Sequence, residues 1–559
     1  MHSHSGPSWG RAGTSIARAA ILLLFLACAR EEKRPAPVEP PPRQGGELRV
    51  LSEVAQDLDP VRSDEVYEAV VVRQIYEGLL TLDAGLQLRP ALATSWTISP
   101  DGRTYSFSLR PGVRFHDGSI LDAASVASSL ERCIAAHREE PSFASMCLCS
   151  IKGAEGRAAG RSSPVEGLRA LNERTLEIEL SEPLSLFLKV LAMEQTAVTG
   201  PGGIGRGGKA SLEEQPIGTG PFRFVRRRDD GGIVLGRFDD YWGERANLDS
   251  LVFLPSRSVA AGDEAEASPP IEIGALVRGD ADYVELPSGT SALARSLGFV
   301  VHRTPELSVS FMGLRCDRPP LDDPAVRRAA LLAIHREKLV AVDPEGMVPV
   351  NGFLPPGMPG RTPGNTMPDP DTEAARALLR DAGYPDGRGL PPLKVAVSEG
   401  SSPRLYEPIL ADLEAGGFTV KTLALSWRQL DSLASAGAVH AFMMSWVADL
   451  PDPDAFLYPL FHSTGQSNLF AYRSERVDSL LEEGRRLPLG PARNQVYARL
   501  SEILAADAPM IPLYHNSLAH AWRSAVRGID VGPGGVSLIC FREVHLDDGG
   551  SDAAHAGTR

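Results

Sequence analysis

Hydrophobic and polar positions alternate along several segments of the chain with the period of two that is typical of half-buried strands. Residues 105–110 (YSFSLR) and 176–180 (LEIEL) show this alternation, and a turn signal precedes the first of them. Residues 48–51 predict a first strand near the start of the folded body. Residues 442–448 (FMMSWVA) are nearly continuously apolar, which predicts a buried strand.

Other segments have helical periodicity and clear end signals. Asp323 precedes Pro324 as a capping residue precedes a proline in the first turn, and apolar residues then recur at helical spacing up to Ile334. A second helix is predicted over 372–382, with Asp371 as its N-cap. No repeat of 20 to 50 residues is present, which disfavours solenoids and propellers. The pattern therefore predicts a mixed α/β fold with strands and helices interleaved.

The N-terminus has the pattern of an export signal. Residues 19–27 (AAILLLFLA) form an apolar run after a basic segment, so residues 1–27 are predicted to be a signal peptide. The run reaches about half of the ~20 residues needed to cross a bilayer as a helix. Leu26-Ala27-Cys28 resembles a bacterial lipobox, which predicts lipidation of Cys28, with an ordinary cleaved signal as the alternative. Residues 28–46 are rich in proline and predict an extended tether, and residues 547–559 predict a disordered tail.

Composition narrows the class of protein. The 559 residues contain 57 Lys+Arg and 71 Asp+Glu, a formal net charge of −14, with 43% hydrophobic residues, as in soluble globular proteins of several lobes. This acidity argues against nucleic acid as a partner. After lipidation of Cys28 five cysteines remain, and Cys133 could pair with Cys147 or Cys149 in an oxidising compartment. The pairing cannot be read from the sequence.

Motifs for catalysis or cofactor binding are missing. The glycine-rich segment 203–209 matches most of a phosphate-loop pattern, but Ala210 stands where such a loop needs Ser or Thr, so a flexible loop is favoured. The histidines have no metal-ligand spacing, and no acid–base pair stands out. The sequence therefore predicts a protein that is not an enzyme and binds neither a metal nor a cofactor. Asp449 is unusual because it follows an apolar strand, where it either orders a turn or faces a ligand.

A series of ordered sequence blocks resembles the family 5 solute-binding proteins, the extracytoplasmic receptors of peptide and nickel ABC importers. The resemblance covers residues 45–544. Its blocks are residues 58–60 (LDP), 74–79 (QIYEGL), 90–96 (PALATSW), 109–118 (LRPGVRFHDG), 167–183 (GLRALNERTLEIELSEP), 218–222 (GTGPF), 240–243 (DYWG), 321–328 (LDDPAVRR) and 448–453 (ADLPDP). Residues 260–270 resemble an acidic insertion.

The resemblance implies a periplasmic-binding-protein-like fold, with two lobes around a hinge and the ligand enclosed when they close. Lobe I would comprise residues 47–302 and 511–546, with 90–215 as an inserted subdomain, and lobe II residues 303–510. Several residues of the family blocks are expected in the core or in turns rather than at the ligand: Trp96, Phe107, Phe115, Trp242 and Asn468.

The resemblance also implies a binding site. The strand residues Ser445, Trp446 and Val447 would pair with the main chain of a peptide, and Asp449 would hold its α-ammonium group. Val66 and Tyr67 would face the peptide from lobe I.

The implied function is capture of short peptides on the outer side of a bacterial membrane for delivery to the permease and ATPase subunits of an ABC importer. The protein would be a monomer held at the membrane through lipidated Cys28. Two alternatives remain open: the same fold with a non-peptide solute, such as a nickel chelate, an oligosaccharide or an opine-like compound, or a sensory or scaffolding lipoprotein without a permease.

Overall fold

The computed structural model describes residues 1–2, 42–63, 65–161, 164–201, 215–256, 269–361, 364 and 366–547. The chain divides into a unit of Met1–Pro42 and a unit of Arg43–Arg559, and every element below belongs to the second. Residues 3–27 of the predicted signal peptide, Cys28, most of the proline-rich tether, the glycine-rich segment 203–209 and residues 548–559 of the predicted tail lie outside the described residues.

The described residues contain twenty strands. They are β1 (Glu47–Ser52), β2 (Leu80–Leu82), β3 (Leu88–Pro90), β4 (Ala93–Ile98), β5 (Thr104–Leu109), β6 (Leu168–Asn172), β7 (Thr175–Glu179), β8 (Phe222–Arg227), β9 (Ile233–Arg237), β10 (Ser250–Pro255), β11 (Tyr283–Leu286), β12 (Val300–Pro305), β13 (Ser308–Leu314), β14 (Met347–Pro349), β15 (Leu393–Ser398), β16 (Val420–Leu425), β17 (Ala441–Val447), β18 (Met510–Trp522), β19 (Val526–Arg527) and β20 (His545–Leu546).

Fifteen α-helices lie in the same described part of the chain. They are α1 (Val66–Ile75), α2 (Ala123–Ala136), α3 (Phe143–Leu148), α4 (Ala154–Ala158), α5 (Phe187–Val190), α6 (Ile271–Arg278), α7 (Ser291–Ser296), α8 (Pro324–Ala333), α9 (Glu337–Val342), α10 (Thr372–Asp381), α11 (Pro403–Ala415), α12 (Trp427–Ser435), α13 (Pro453–Phe461), α14 (Glu475–Arg486) and α15 (Pro491–Asp507). Within the described residues no helix is both long and apolar enough to cross a membrane.

The predicted elements form for the reasons their sequences suggest. In β5 and β7 the alternating apolar side chains are buried. The Asp323 carboxylate accepts a hydrogen bond from Ala325 N at 2.7 Å and caps α8. Asp371 caps α10 in the same way through Ala374 N at 2.8 Å. The apolar run before Asp449 is the strand β17, but the prediction that it is buried is wrong for its second half, where Ser445 and Val447 are exposed because no strand covers that edge in the described residues. The mixed α/β prediction is confirmed.

One large sheet extends through the fold. Its twelve strands include the path β16-β15-β17-β13-β18-β11-β1-β10-β9-β8, with β12 and β14 also paired to β18. The long strand β18 pairs with β13 over Met510–Tyr514 and with β11 over Ala519–Trp522. β18 therefore joins the two halves of the sheet.

The hydrophobic core forms separate clusters that the sheet joins. One cluster contains buried residues between Leu307 and Leu513, and another contains residues of the segment 61–198 together with Leu450 and Ala455. A third brings the first strands together with residues 522–544. These clusters are compatible with the predicted lobes and subdomain, whose boundaries stay predictions.

Residues of the family blocks have the structural roles expected for them. Phe107 and Phe115 are fully buried, and Trp96 packs against their cluster. Trp242 Nε1 donates a hydrogen bond to Glu77 Oε2 at 2.7 Å. Asn468 Nδ2 donates to Tyr472 O at 2.8 Å and so orders a turn.

Candidate ligand-binding cleft

A cavity of about 630 Å³ lies where the large sheet meets α1 and the segment after β17. Its volume is within the range of about 300–1,000 Å³ that is common for small-molecule sites. Walls come from the end of β1, the first turns of α1, β11, residues 306–307, residues 447–451 and residues 533–538. Elements distant in the sequence therefore converge on one space.

The strand β17 presents an open edge next to this cavity. It pairs antiparallel with β13 along its full length, from Leu314 opposite Ala441 to Ser308 opposite Val447. On its other side it pairs with β15 only at Ala441 and Phe442. From Met443 onward, no strand in the described residues occupies that side. Unpaired main-chain groups on a strand edge can accept another extended chain.

Asp449 follows β17 and lines the cavity with an exposed side chain. Ala448 N donates a hydrogen bond to Leu307 O at 2.9 Å, which continues the β13–β17 ladder by one step. Glu306, two residues before β13, lines the same cavity as Asp449. Both residues therefore contribute a carboxylate to the cavity lining.

Val66 and Tyr67 lie in the first turn of α1, and both line the same cavity. The Val66 side chain is 54% exposed, which is unusual for a large apolar group. The pKa of Tyr67 is raised by burial and by the nearby carboxylates of Glu65 and Glu68, so its hydroxyl stays protonated near neutral pH. Tyr67 can therefore donate a hydrogen bond.

Ser445 and Trp446 are on β17 but do not line the cavity. The Oγ atoms of Ser445 and Ser310 are 2.7 Å apart across the ladder. Trp446 packs against the largest core cluster, and its Nε1 has no hydrogen-bond partner among the described residues. The structure thus brings Val66, Tyr67, Val447 and Asp449 together at one cavity. Ser445 and Trp446 lie just beyond it on the strand.

Sequence reasoning missed most of the charge at the cavity. Seven carboxylate residues line it, together with one basic residue, Arg73. Arg73 Nη2 is 2.7 Å from Glu194 Oε2, so this cation is already paired within the protein. The carboxylate residues are Glu53, Glu65, Glu194, Glu272, Glu285, Glu306 and Asp449. These residues come from separate elements, so no local sequence motif predicts that they line one cavity.

A buried ion network lies directly behind the turn that follows Asp449. Asp452 is fully buried, and its carboxylate forms ion pairs with Lys189 Nζ at 2.9 Å and with Arg493 Nη2 at 2.6 Å. Burial by itself raises the pKa of Asp452, but the two cations outweigh burial and lower it. Lys189 Nζ also donates to Pro451 O at 2.7 Å. The network holds the turn against α5 and α15.

Asp454 belongs to the same network, but its pKa is shifted in the opposite direction from that of Asp452. Arg485 Nε lies 3.0 Å from its carboxylate, and Tyr497 OH lies 3.3 Å from it. Burial, reinforced by the neighbouring Asp452, raises the pKa of Asp454 to about 6, although Arg485 opposes the shift. These carboxylates are structural partners of cations and do not line the cavity.

No group of three or more His, Cys, Asp or Glu side chains in the described chain is arranged to hold a metal ion. Desolvation lowers the pKa of the partly buried His116 and of the buried His515 and His520 to about 4, which keeps all three neutral near pH 7.

The sequence is similar to known bacterial solute-binding proteins. The family model for bacterial extracellular solute-binding proteins, family 5 Middle, matches residues 87–468. The glutathione-binding protein GsiB of Salmonella paratyphi A is 26% identical over 489 residues, which cover 85% of this chain and 90% of that protein. The dipeptide-binding protein of Escherichia coli is 26% identical over 493 residues, covering 84% and 89%.

A solved structure shows the same architecture. The periplasmic binding protein DppA from Helicobacter pylori, in complex with the peptide STSA, superposes with a TM-score of 0.72 and 26% identity. The superposition covers 90% of this chain and 99% of that one. The predicted two-lobed binding-protein fold class is confirmed by this likeness.

Proposed function

This chain belongs to the bacterial extracellular solute-binding proteins of family 5, and on that premise we propose that it captures short peptides in the cleft and delivers them to the permease and ATPase subunits of an ABC importer. One observation carries the proposal. The open edge of β17 ends at a cavity, and a carboxylate, Asp449, stands two residues beyond the end of the strand.

The arrangement suits recognition of a peptide main chain. An extended ligand can add to the edge formed by Ser445, Trp446 and Val447, so that main-chain hydrogen bonds supply affinity without reading the side chains. Asp449 receives the α-ammonium group of the first ligand residue. Val66 and Tyr67 contact the ligand from the opposite wall.

The relatives support a peptide as the cargo. Proteins 26% identical to this chain bind glutathione and dipeptides, and the similar DppA structure contains a bound tetrapeptide. These relatives are binding proteins, which supports a role without catalysis and without a cofactor or metal.

Retention at the membrane is a separate part of the proposal. The lipobox-like sequence ending at Cys28 supports export, removal of residues 1–27 and lipidation of Cys28. We expect a monomer on the outer face of a bacterial membrane. Replacing Cys28 by Ser should release the protein from the membrane fraction, whereas retention of the Cys28→Ser protein there would contradict the lipid anchor.

The test of peptide capture begins with the natural cargo. Native mass spectrometry of the protein purified without denaturation should show bound peptide masses that disappear on unfolding. Calorimetry should then show that trialanine binds and that N-acetyl-trialanine, which lacks the α-ammonium group, binds about 100-fold more weakly. Equal binding of the two peptides, or a co-purified nickel chelate, oligosaccharide or opine-like compound, would contradict the proposal.

A further inference from the structure

We propose that Lys189, which does not itself line the cavity, is a positioning residue that holds Asp449 in place for the α-ammonium group of a peptide. This inference rests on the proposed function, because Lys189 acts through the carboxylate that the proposed function assigns to the ammonium group. Lys189 belongs to α5, which is remote from β17 in the sequence.

The main chain is held on both sides of Asp449. On one side Ala448 N donates a hydrogen bond to Leu307 O at 2.9 Å. On the other side Lys189 Nζ donates a hydrogen bond to Pro451 O at 2.7 Å. Asp449 and Pro451 both line the cavity. Because the two anchor points are so close in the chain, both determine where the carboxylate between them points.

The segment that carries Lys189 continues into another wall of the same cavity. Ala192 N donates to Lys189 O at 3.0 Å, and Met193 N donates to Val190 O at 3.0 Å, so the chain passes from Lys189 to Met193 in helical turns. Residues 193–195 line the cavity. Lys189 therefore joins the wall formed by residues 193–195 to the wall formed by residues 447–451.

The surroundings of Lys189 make its contribution local to the turn. Lys189 is 8% exposed, and its Nζ lies 2.9 Å from the fully buried Asp452 carboxylate. Arg493 Nη2 lies 2.6 Å from the other oxygen of that carboxylate. Without the Lys189 ammonium group, Asp452 keeps a cationic partner, whereas Pro451 O loses the donor that ties it to α5.

The physical consequence concerns one part of the ligand. A carboxylate that is already held in place loses little freedom when an ammonium group binds to it, whereas a mobile carboxylate must first be ordered. The main-chain groups of β17 depend instead on the pairing of this strand with β13, in which Lys189 takes no part. Lys189 should therefore affect recognition of the ammonium group more than recognition of the peptide main chain.

The test measures by calorimetry the preference for trialanine over N-acetyl-trialanine, which lacks the ammonium group. The natural protein should prefer trialanine about 100-fold. In Lys189→Met the preference should fall to about ten-fold, while the affinity for N-acetyl-trialanine stays the same. Lys189→Gln, whose shorter side chain does not reach the position of Nζ, should change the preference in the same direction and replaces Lys189→Met if that variant does not fold.

Val126→Ala is the matched control. Val126 is fully buried in α2, belongs to the same core cluster as Phe187 of α5, and does not line the cavity. The substitution removes buried methyl groups and so lowers stability, but it leaves the contacts of Lys189 in place. Val126→Ala should therefore keep the full preference for trialanine.

Hydrogen exchange of the ligand-free proteins supplies a readout that is independent of peptide binding. Fragments that cover residues 448–452 should exchange about ten-fold faster in Lys189→Met than in the natural protein, because the turn opens more easily without its tie to α5. Fragments from β13 should exchange at the same rate in both. In Val126→Ala the turn should exchange as in the natural protein.

The outcomes separate this inference from the proposed function. If the natural protein prefers trialanine and Lys189→Met keeps that preference, or weakens both peptides to the same degree, the positioning role is overturned and peptide capture stands. An equal loss of preference in Val126→Ala would also overturn it, because stability rather than position would then be the cause. If the natural protein binds neither peptide, or binds both equally, the proposed function fails and the role of Lys189 fails with it.

Discussion

Lys189 Nζ lies 2.9 Å from Asp452 Oδ2, although the two residues are 263 positions apart in the chain. Lys189 is in α5, within the segment predicted as an inserted subdomain, and Asp452 caps α13 just after the candidate binding strand. The ion pair therefore attaches that segment to the turn that carries Asp449.

The first prediction concerns this ion pair. Lys189→Met keeps the length of the side chain but removes the buried cation, so we expect a loss of about 2 kcal/mol in the free energy of unfolding. Lys152→Met is the control, because Lys152 and Glu179 form an exposed pair at 3.1 Å whose loss should cost less than about 0.5 kcal/mol. Urea unfolding measures both. Equal effects of the two substitutions would contradict a structural role for Lys189.

The second prediction concerns pH. The folded-state pKa of Asp454 is about 6, above the value of about 3.9 expected in the unfolded chain, so the folded protein binds this proton more tightly. The stabilisation is present below about pH 4 and is lost as the pH rises through 6. Relative to Asp454→Asn, the natural protein should therefore gain roughly 1–3 kcal/mol between pH 7 and pH 4.5.

Urea unfolding of both proteins at the two pH values measures this difference directly. Asp381→Asn, which removes an exposed carboxylate at the end of α10, controls for general effects of pH on stability. A difference between natural protein and Asp454→Asn that does not change with pH would show that Asp454 is ionised in the folded state throughout.

The third prediction concerns Asp449. Asp449→Asn should weaken trialanine binding by about 3 kcal/mol, because the α-ammonium group loses its charged partner in the closed cleft. N-acetyl-trialanine should bind the natural protein and the variant equally, which isolates the interaction with the ammonium group. Calorimetry gives the affinities, and thermal unfolding should show that the variant remains folded. If Asp449→Asn weakened the binding of both peptides to the same degree, Asp449 would order the turn instead of binding the ammonium group.

The fourth prediction concerns the cysteines. The five cysteines in the described part of the chain are free thiols, with Cys133 and Cys147 buried and Cys540 exposed. Burial raises the pKa of Cys133 to about 12 and raises that of Cys147 as well, so both thiols stay protonated and unreactive. A maleimide should therefore label Cys540 in the native protein and Cys133 and Cys147 only after unfolding. Failure to label them in unfolded, unreduced protein would reveal a disulfide.

Much of the fold could be predicted because its signals are local. Caps at Asp323 and Asp371 and the period of two in β5 depend on residues close together in the sequence. Asp449 stood out for the same reason, as a charge directly after an apolar strand. Whether it binds a ligand or orders the turn could not be decided from those residues alone.

The rest depends on contacts between distant parts of the chain. Glu285 is the one exposed residue of the otherwise buried strand β11, and the residues next to it in the sequence give no sign of the cavity that it lines. Lys189 lies in a short apolar helix, where a cation is unexpected until its partners are known. Such residues become intelligible only when the topology of the large sheet brings their elements together.

The strand β18 has a mechanical consequence. Because its first half is bonded to β13 and its second half to β11 and β12, the two ends of the sheet cannot separate without breaking a continuous ladder. The β13 pairing is irregular between Ser310 and Phe311, opposite Tyr514 and Pro512. A rotation of one half of the sheet against the other would therefore have to twist this continuous strand, and the irregularity marks the place where its pairing is already interrupted.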